Sequence, residues 1–343
     1  MSAIDLTVVV AIRNQLPHNE LFLESLEASG SAVRTELIVV DNSSTDGSAE
    51  LFRRAGARVI PTGGNLCYPE AMNLGFAGAN GEYVGFLNND LVLSPGWKEG
   101  LIEALDRHRL PAASPVGIER MPTEELTRAI QERWRIVKRR IGPIRRADDL
   151  RAAVQQMYGH WNAFCERVRM AFDRRLVSGI VGSCVVMRRC FMQAIGGWDG
   201  RVQAADWDLY LRLRERAETI SDVGPPMVVG SVYAHHYVQA TRRSEGAIFT
   251  CAHPTLTVQE KWGQPAIRRW FFDPALLAER PTFRRAPADY LRRRVARLSI
   301  EARRGIRHVT ILCRGLPEAT ELLAQLRTDT TAGDPRPVSL VRS

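Results

Sequence analysis

The chain has 343 residues, 45% apolar and 25% charged, the balance of a protein that folds around a core, which excludes disorder as its main state. Its net charge of +9 is uneven: seven Lys/Arg and no acids fall between Arg133 and Arg146, and nine Arg against Asp289 and Glu301 fall between Arg284 and Arg307, so the remainder is slightly acidic. No apolar run approaches the roughly 20 residues of a membrane-spanning helix, and the six cysteines show no CxxC pair, against both a zinc site and a disulfide framework.

Met1–Asp5 leads straight into the apolar run Leu6–Ile12, with no basic segment and no small-residue cleavage site, so a cytoplasmic chain with reduced thiols is expected. Over the first 110 residues strand and helix signals alternate. Thr7–Ile12, Leu37–Val40, Arg58–Ile60 and Tyr83–Leu87 are short β-branched or apolar runs suited to strands buried on both faces. Asn19–Ser29, Ser48–Ala55, Pro69–Ala79 and Gly96–Arg107 carry helical spacing between and after them. This order is a βαβαβ unit with a Rossmann-like, mostly parallel sheet in an α/β fold.

From Pro111 to Leu176 the texture becomes Arg-rich and helical, with Trp134 and Trp161, as for an insertion or lid. Sheet-like residues return at Ile180–Met187, a helix is predicted from Asp206 to Ala217, and beyond Gly246 the chain is again basic and mainly helical. A small β-α-β tail is expected at Val309–Cys313, Pro317–Arg327 and Val338–Val341. The basic runs suit phosphates or anionic lipid, and the run at 284–307 suggests peripheral contact with the inner face of a membrane; a solvated helix face is the plainer explanation of either. They lack interleaved aromatics and any nucleic-acid-binding motif, so no nucleic-acid partner is expected.

In an open parallel sheet, ligands bind beyond the carboxyl ends of the strands. There the sequence places Arg13-Asn14, the run Asp41-Asn42-Ser43-Ser44-Thr45-Asp46-Gly47, Gly63-Gly64-Asn65 and Asn88-Asn89-Asp90. Neither GxGxxG nor GxxxxGK[ST] follows these strands, so phosphates need another device. A divalent cation on a carboxylate is one, and Asp90 is placed for it. Taken singly, Asp41, Asp90 and Asp206 also suit turn chemistry, a solvated loop and a helix N-terminus.

The ordered set Val8–Asn14, Glu36–Gly47, Gly64-Asn65, Ala71–Gly75, Gly81–Asp90 and Ser94–Trp97, followed by Gly182–Arg189, Ile195–Asp199 and Ala205–Leu209, resembles family 2 of the glycosyltransferases, with the GT-A fold. The resemblance covers most of residues 6–245. It implies an inverting transfer of sugar from a nucleoside-diphosphate sugar (UDP, dTDP or GDP type) to a hydroxyl acceptor such as a glycan, glycolipid or natural product, helped by Mn2+ or Mg2+. It divides the chain into a nucleotide-sugar half (1–110), a helical insertion (111–176), an acceptor-side half (177–245) and a basic extension (246–343).

Carried over by position, Ala11, Arg13, Asp41, Asn65, Asn73, Asn88 and Asn89 would line the donor, with Asp41 at the base. Asp90 ends the motif at the family's DXD position, where its first Asp is Asn88, and would hold the metal together with a late histidine, His235 in preference to His236. Asp206 would be the general base that takes the proton from the acceptor hydroxyl, with Asp208 as its rival two residues on. Trp198 and Asp199 would receive the acceptor. The acid that usually precedes the base is Ala205 here. Two other readings stay open: a sugar nucleotidyltransferase, although Val8–Pro17 lacks a Gly-rich phosphate loop, and a degenerate nucleotide-sugar-binding protein, suggested by Ala205 and Asn88.

Overall fold

The computed structural model describes residues 4–28, 30–202, 204–237 and 256–273. The expected β-α-β tail and the basic run 284–307 lie outside them. The first half reads β1 (Leu6–Ile12), α1 (Leu16–Ala28), β2 (Thr35–Asp41), α2 (Ser48–Arg54), β3 (Arg58–Pro61), α3 (Tyr68–Ala77), β4 (Tyr83–Asn88), β5 (Leu91–Leu93), α4 (Trp97–Arg107) and β6 (Ala112–Gly117). Three helices follow, α5 (Glu124–Ile141), α6 (Ala147–Tyr158) and α7 (Trp161–Ala171). The chain then re-enters the sheet through β7 (Leu176–Ser178), β8 (Cys184–Arg188), α8 (Arg189–Ala194), α9 (Ala205–Thr219), β9 (Met227–His236) and a last described helix, α10 (Val258–Trp270).

The nine strands form one sheet in the order β3-β2-β1-β4-β8-β6-β9-β5, with β7 also on β9. β1 to β4, β6 and β9 run one way; β5, β7 and β8 run against them. The register sets Ile12 opposite Asp41 and Ala11 opposite Asn88, so β1, β2 and β4 end level.

Side-chain alternation along β1 builds a three-layer core. Leu6, Val8, Val10 and Ile12 pack with Phe22 of α1, Phe52 of α2 and Leu101 and Leu105 of α4. Val9 points to the other face, among Met72 of α3, Met192 of α8 and Leu209 and Leu213 of α9. Each such side chain, fully buried, contributes about 1.5–3 kcal/mol. At Gly75 of α3 a Cβ would lie 2.3 Å from Val9 Cγ1, so glycine is what lets this helix approach the sheet.

The segment expected to be helical from residue 111 opens instead with a strand. Ala112–Gly117 lacks a β-branched run, yet it is buried throughout and pairs with β8 and β9. The helices beyond it form an aromatic-rich cluster over β9, with Trp134, Tyr158, Trp161 and Phe164 around Tyr233 and Tyr237. Thr123 caps α5 by accepting the Leu126 N–H.

Candidate active site

The loop after β2 is held from both sides. Asp41 is buried at the strand end and its Oδ1 accepts the Ser44 N–H at 2.9 Å. Asn14 Oδ1 accepts the Thr45 N–H (2.7 Å), Ser44 Oγ accepts the Asn14 N–H (2.9 Å) and Asp46 Oδ2 accepts the Leu16 N–H (2.8 Å). Asn14 (φ 53°) and Ser43 (φ 63°) adopt the left-handed conformation this interlock requires. Arg13 donates to the Asn42 carbonyl (3.2 Å), and the Asn42 amide both accepts from and donates to the Leu66 backbone at 3.2 Å, which draws the loop bearing buried Asn65 alongside. Ala11, half-buried, completes this rim one residue before the end of β1.

Asn88, Asn89 and Asp90 diverge because β4 ends within them. The Asn88 amide lies 3.3 Å from His236 Nε2. Asn89 is buried and donates to Asn19 Oδ1 at 2.7 Å, while Asn19 donates to the Asn14 carbonyl and to Ser48 Oγ, so Asn89 fastens α1 under the site. Asp90 lies 3.0 Å from His236 Nε2, and its carbonyl accepts the Tyr237 N–H at 3.0 Å.

Adjacent strand residues point to opposite faces, so only one of the two histidines can meet Asp90. It is His236. Its Nδ1 also meets Glu119, which stands two residues beyond the end of β6. Burial alone would favour the neutral ring, but Asp90 and Glu119 outweigh it and hold the imidazole pKa well above the usual histidine range. His235, the residue preferred from sequence, faces the other way: it is fully buried, with Nδ1 2.6 Å from Tyr158 Oη and Trp134 and Tyr237 edge-on to its ring. Burial, and then the charge of His236, holds His235 neutral.

Asp206 lies in the first turn of α9, half-buried against Gly182. Burial raises its pKa, the backbone N–H groups of Trp207 and Asp206 oppose this, and Glu119 adds to the rise. An upward shift is the direction that makes a carboxylate a better proton acceptor. Asp208 is fully buried and fully engaged instead: Arg212 at 2.9 Å, Lys261 at 2.6 Å and the Trp262 Nε1–H at 2.8 Å surround it.

The residues expected to receive the acceptor are engaged within the protein as well. Trp198 is 2% exposed, edge-on to Tyr68 and Phe86. The Asn73 side chain clamps its backbone, accepting from the N–H (2.8 Å) and donating to the carbonyl (2.9 Å), which accounts for Asn73 without a donor. Asp199 binds Arg201 (2.7 Å) and Lys261 (2.8 Å), which hold its carboxyl well below the usual carboxylate range. Lys261 thus ties Asp199 and Asp208 to α10.

Asp90, Asn88, His236, Glu119 and Asp206 therefore gather on the rim where β4, β6 and β9 end, with the Asp41 loop on the far side of β1. Asn73, Asn89, Trp198, Asp199, Asp208 and His235 point elsewhere. Glu119 was missed in the sequence because no motif frames it; its only signal is an acid just beyond a small-residue run, and that run became a strand only on pairing. Among the described residues no group of three or more His, Cys, Asp and Glu is arranged as a metal cage.

This architecture is the GT-A fold: the mannosyltransferase PcManGT from Pyrobaculum calidifontis, solved with GDP-Man and Mn2+, matches at a TM-score of 0.50 and 17% identity, over 95% of this chain and 86% of that one. The family model for glycosyl transferase family 2 matches residues 7–196. The chain belongs to glycosyl transferase family 2, and it is a glycosyltransferase. It is 28% identical over 266 residues to N-acetylglucosaminyl-diphospho-decaprenol L-rhamnosyltransferase of Mycobacterium tuberculosis, covering 72% of this chain and 81% of that protein. It is 24% identical over 257 residues to the O-antigen biosynthesis protein RfbC of Myxococcus xanthus, of which it spans 18%.

Proposed function

We propose that the protein transfers a sugar from a nucleoside-diphosphate sugar of the UDP, dTDP or GDP type to a hydroxyl of a lipid-linked saccharide, with inversion, and that Asp206 is the base. The observation that carries this reading is the half-buried Asp206 carboxyl, biased toward proton uptake, on the same rim as Asp90 and Glu119. A single displacement needs one group to accept the acceptor's proton as its oxygen attacks the anomeric carbon, and direct attack from the opposite face inverts that carbon. Asp41 and its interlocked loop are assigned to the nucleotide. The name of the mycobacterial relative supports the lipid-diphosphate class of acceptor.

A divalent cation fits the rim on the chemistry of its donors. Asp90 offers a carboxylate oxygen to a hard ion, and with one protein carboxylate most of the shell would come from the donor diphosphate. Such an ion would stabilise the leaving diphosphate. His236 is held protonated between Asp90 and Glu119, so it would have to release that proton before it served as a ligand. The missing acid before the base, Ala205, does not by itself favour a degenerate binder, because Glu119, just past β6, is a carboxylate near enough to act on the Asp206 charge.

The test is turnover with nucleotide sugars and Mn2+ or Mg2+, read as release of nucleoside diphosphate; release of pyrophosphate instead would mark a nucleotidyltransferase. Asp206→Asn is expected to keep donor binding and lose turnover by 100-fold or more, on the order of a removed general base. Near-normal turnover in that variant would show that the base is misassigned. Asp90→Ala is expected to weaken donor binding mainly when the metal is present.

A further inference from the structure

We propose that the α5–α6 hairpin is a docking surface for an anionic phospholipid bilayer. The end of α5 and the turn after it carry Arg139, Arg140, Arg145 and Arg146, all exposed, around Ile144, one of the exposed large hydrophobic residues among those described. No acidic residue occurs between Arg133 and Ala147. The opposite face of α5, with Leu126, Ile130, Trp134 and Val137, is buried in the core, so the helix is fixed with its basic side outward.

The turn has a set shape. Asp149 Oδ2 accepts the backbone N–H of both Arg145 (2.8 Å) and Arg146 (3.0 Å), which leaves those two side chains projecting from a closed turn. Two acids lie beside Arg146: Asp148 at 4.0 Å and Asp149 of the same turn. Arg133, by contrast, is buried and donates to the Gln156 carbonyl at 2.9 Å, so the basic run divides into an inner structural residue and an outer charged cluster.

The base of the hairpin is also tied to the end of β9, the strand that carries His236. Tyr237, next to His236, donates to the Leu150 carbonyl in the first turn of α6 at 2.7 Å, and Arg151 of α6 pairs with Glu24 of α1. Arginine planes around an exposed branched apolar side chain match a surface of phosphate headgroups over acyl chains, where the guanidinium groups meet phosphate and the isoleucine is removed from water. A bilayer seated here would bring the rim to the membrane interface; that use of the contact rests on the lipid-linked acceptor proposed above, but the contact itself does not.

The experiment is co-sedimentation of the full chain with phosphatidylcholine vesicles that either contain or lack phosphatidylglycerol. The unaltered chain should bind the anionic vesicles, and the binding should weaken as salt is raised. Each arginine near such a surface is worth about fivefold in partitioning. The variant Arg139→Ala/Arg140→Ala/Arg145→Ala/Arg146→Ala should therefore bind on the order of several hundred-fold less, and Ile144→Asp should also reduce binding. Unchanged thermal unfolding of the variants shows that the fold persists, and unchanged turnover on a water-soluble acceptor keeps the result separate from the transferase reading. Equal binding by the fourfold variant, equal binding to vesicles of phosphatidylcholine alone, or no binding by the unaltered chain overturns the proposal.

Discussion

Gly182 offers a steric probe of the proposed base that leaves its chemistry untouched. A Cβ at this position would lie 2.3 Å from Asp206 Oδ2 and 2.7 Å from Asp206 Cβ. Rotating the carboxyl relieves the first contact but not the second, which requires the first turn of α9 to move. Restoring an ordinary separation demands a displacement of about 1 Å, and a misplacement of that size at a reacting group costs about 100-fold in rate. Overpacking of this kind also costs about 1–3 kcal/mol of stability. Gly182→Ala is thus expected to lower turnover 10- to 100-fold, an order set by the same geometric argument, while calorimetric donor affinity stays within a few-fold because the Asp41 loop is remote. Donor turnover measured beside thermal unfolding checks this. A Gly182→Ala protein that turns over like its parent would refute the placement of Asp206 at the reacting atoms.

Glu119→Gln removes a negative neighbour that helps hold the Asp206 pKa up, so the acidic limb of the pH–rate profile should move to lower pH; an unmoved limb would uncouple the two carboxyls. His236 gains its proton more readily in the folded chain, so the stability it contributes is fully present below its unfolded pKa and is lost as pH rises through the raised folded value. The melting temperature should therefore fall on the alkaline side, and His236→Gln should flatten that slope. Lys261→Met leaves fully buried Asp208 with Arg212 and the Trp262 N–H alone, a broken buried pair that should cost about 3 kcal/mol in urea unfolding. Because Lys261, Asp199 and Asp208 tie α9 to α10 and do not face the rim, turnover at low temperature should survive that change.

The local pattern was enough for the alternating elements of the first 110 residues, because strands buried on both faces and amphipathic helices write their periods directly into the chain. The expected run Leu37–Val40 became β2 at Thr35–Asp41 and Tyr83–Leu87 became β4 at Tyr83–Asn88, and the position of Asp41 and Asp90 just at or past strand ends followed from that. The family, too, was readable from the ordered motifs. Pairing and packing decided the rest. Ala112–Gly117 is a strand through its neighbours in the sheet and not through a distinctive composition of its own, whereas Met227–His236, with Val228, Val229, Val232 and Tyr233, carries a strand composition that was passed over. Which of His235 and His236 meets Asp90 turns on the register of β9, a single-residue matter that flips every side chain to the other face. The same holds for acids of one charge and similar spacing: Asp206 and Asp208 differ in surroundings because Arg212 and Lys261, the latter brought in from α10, pair with one and leave the other at the rim. A sequence lists the carboxylates, but their partners come from elements far along the chain, and it is the partner that decides whether a buried charge is a fastening or a reagent.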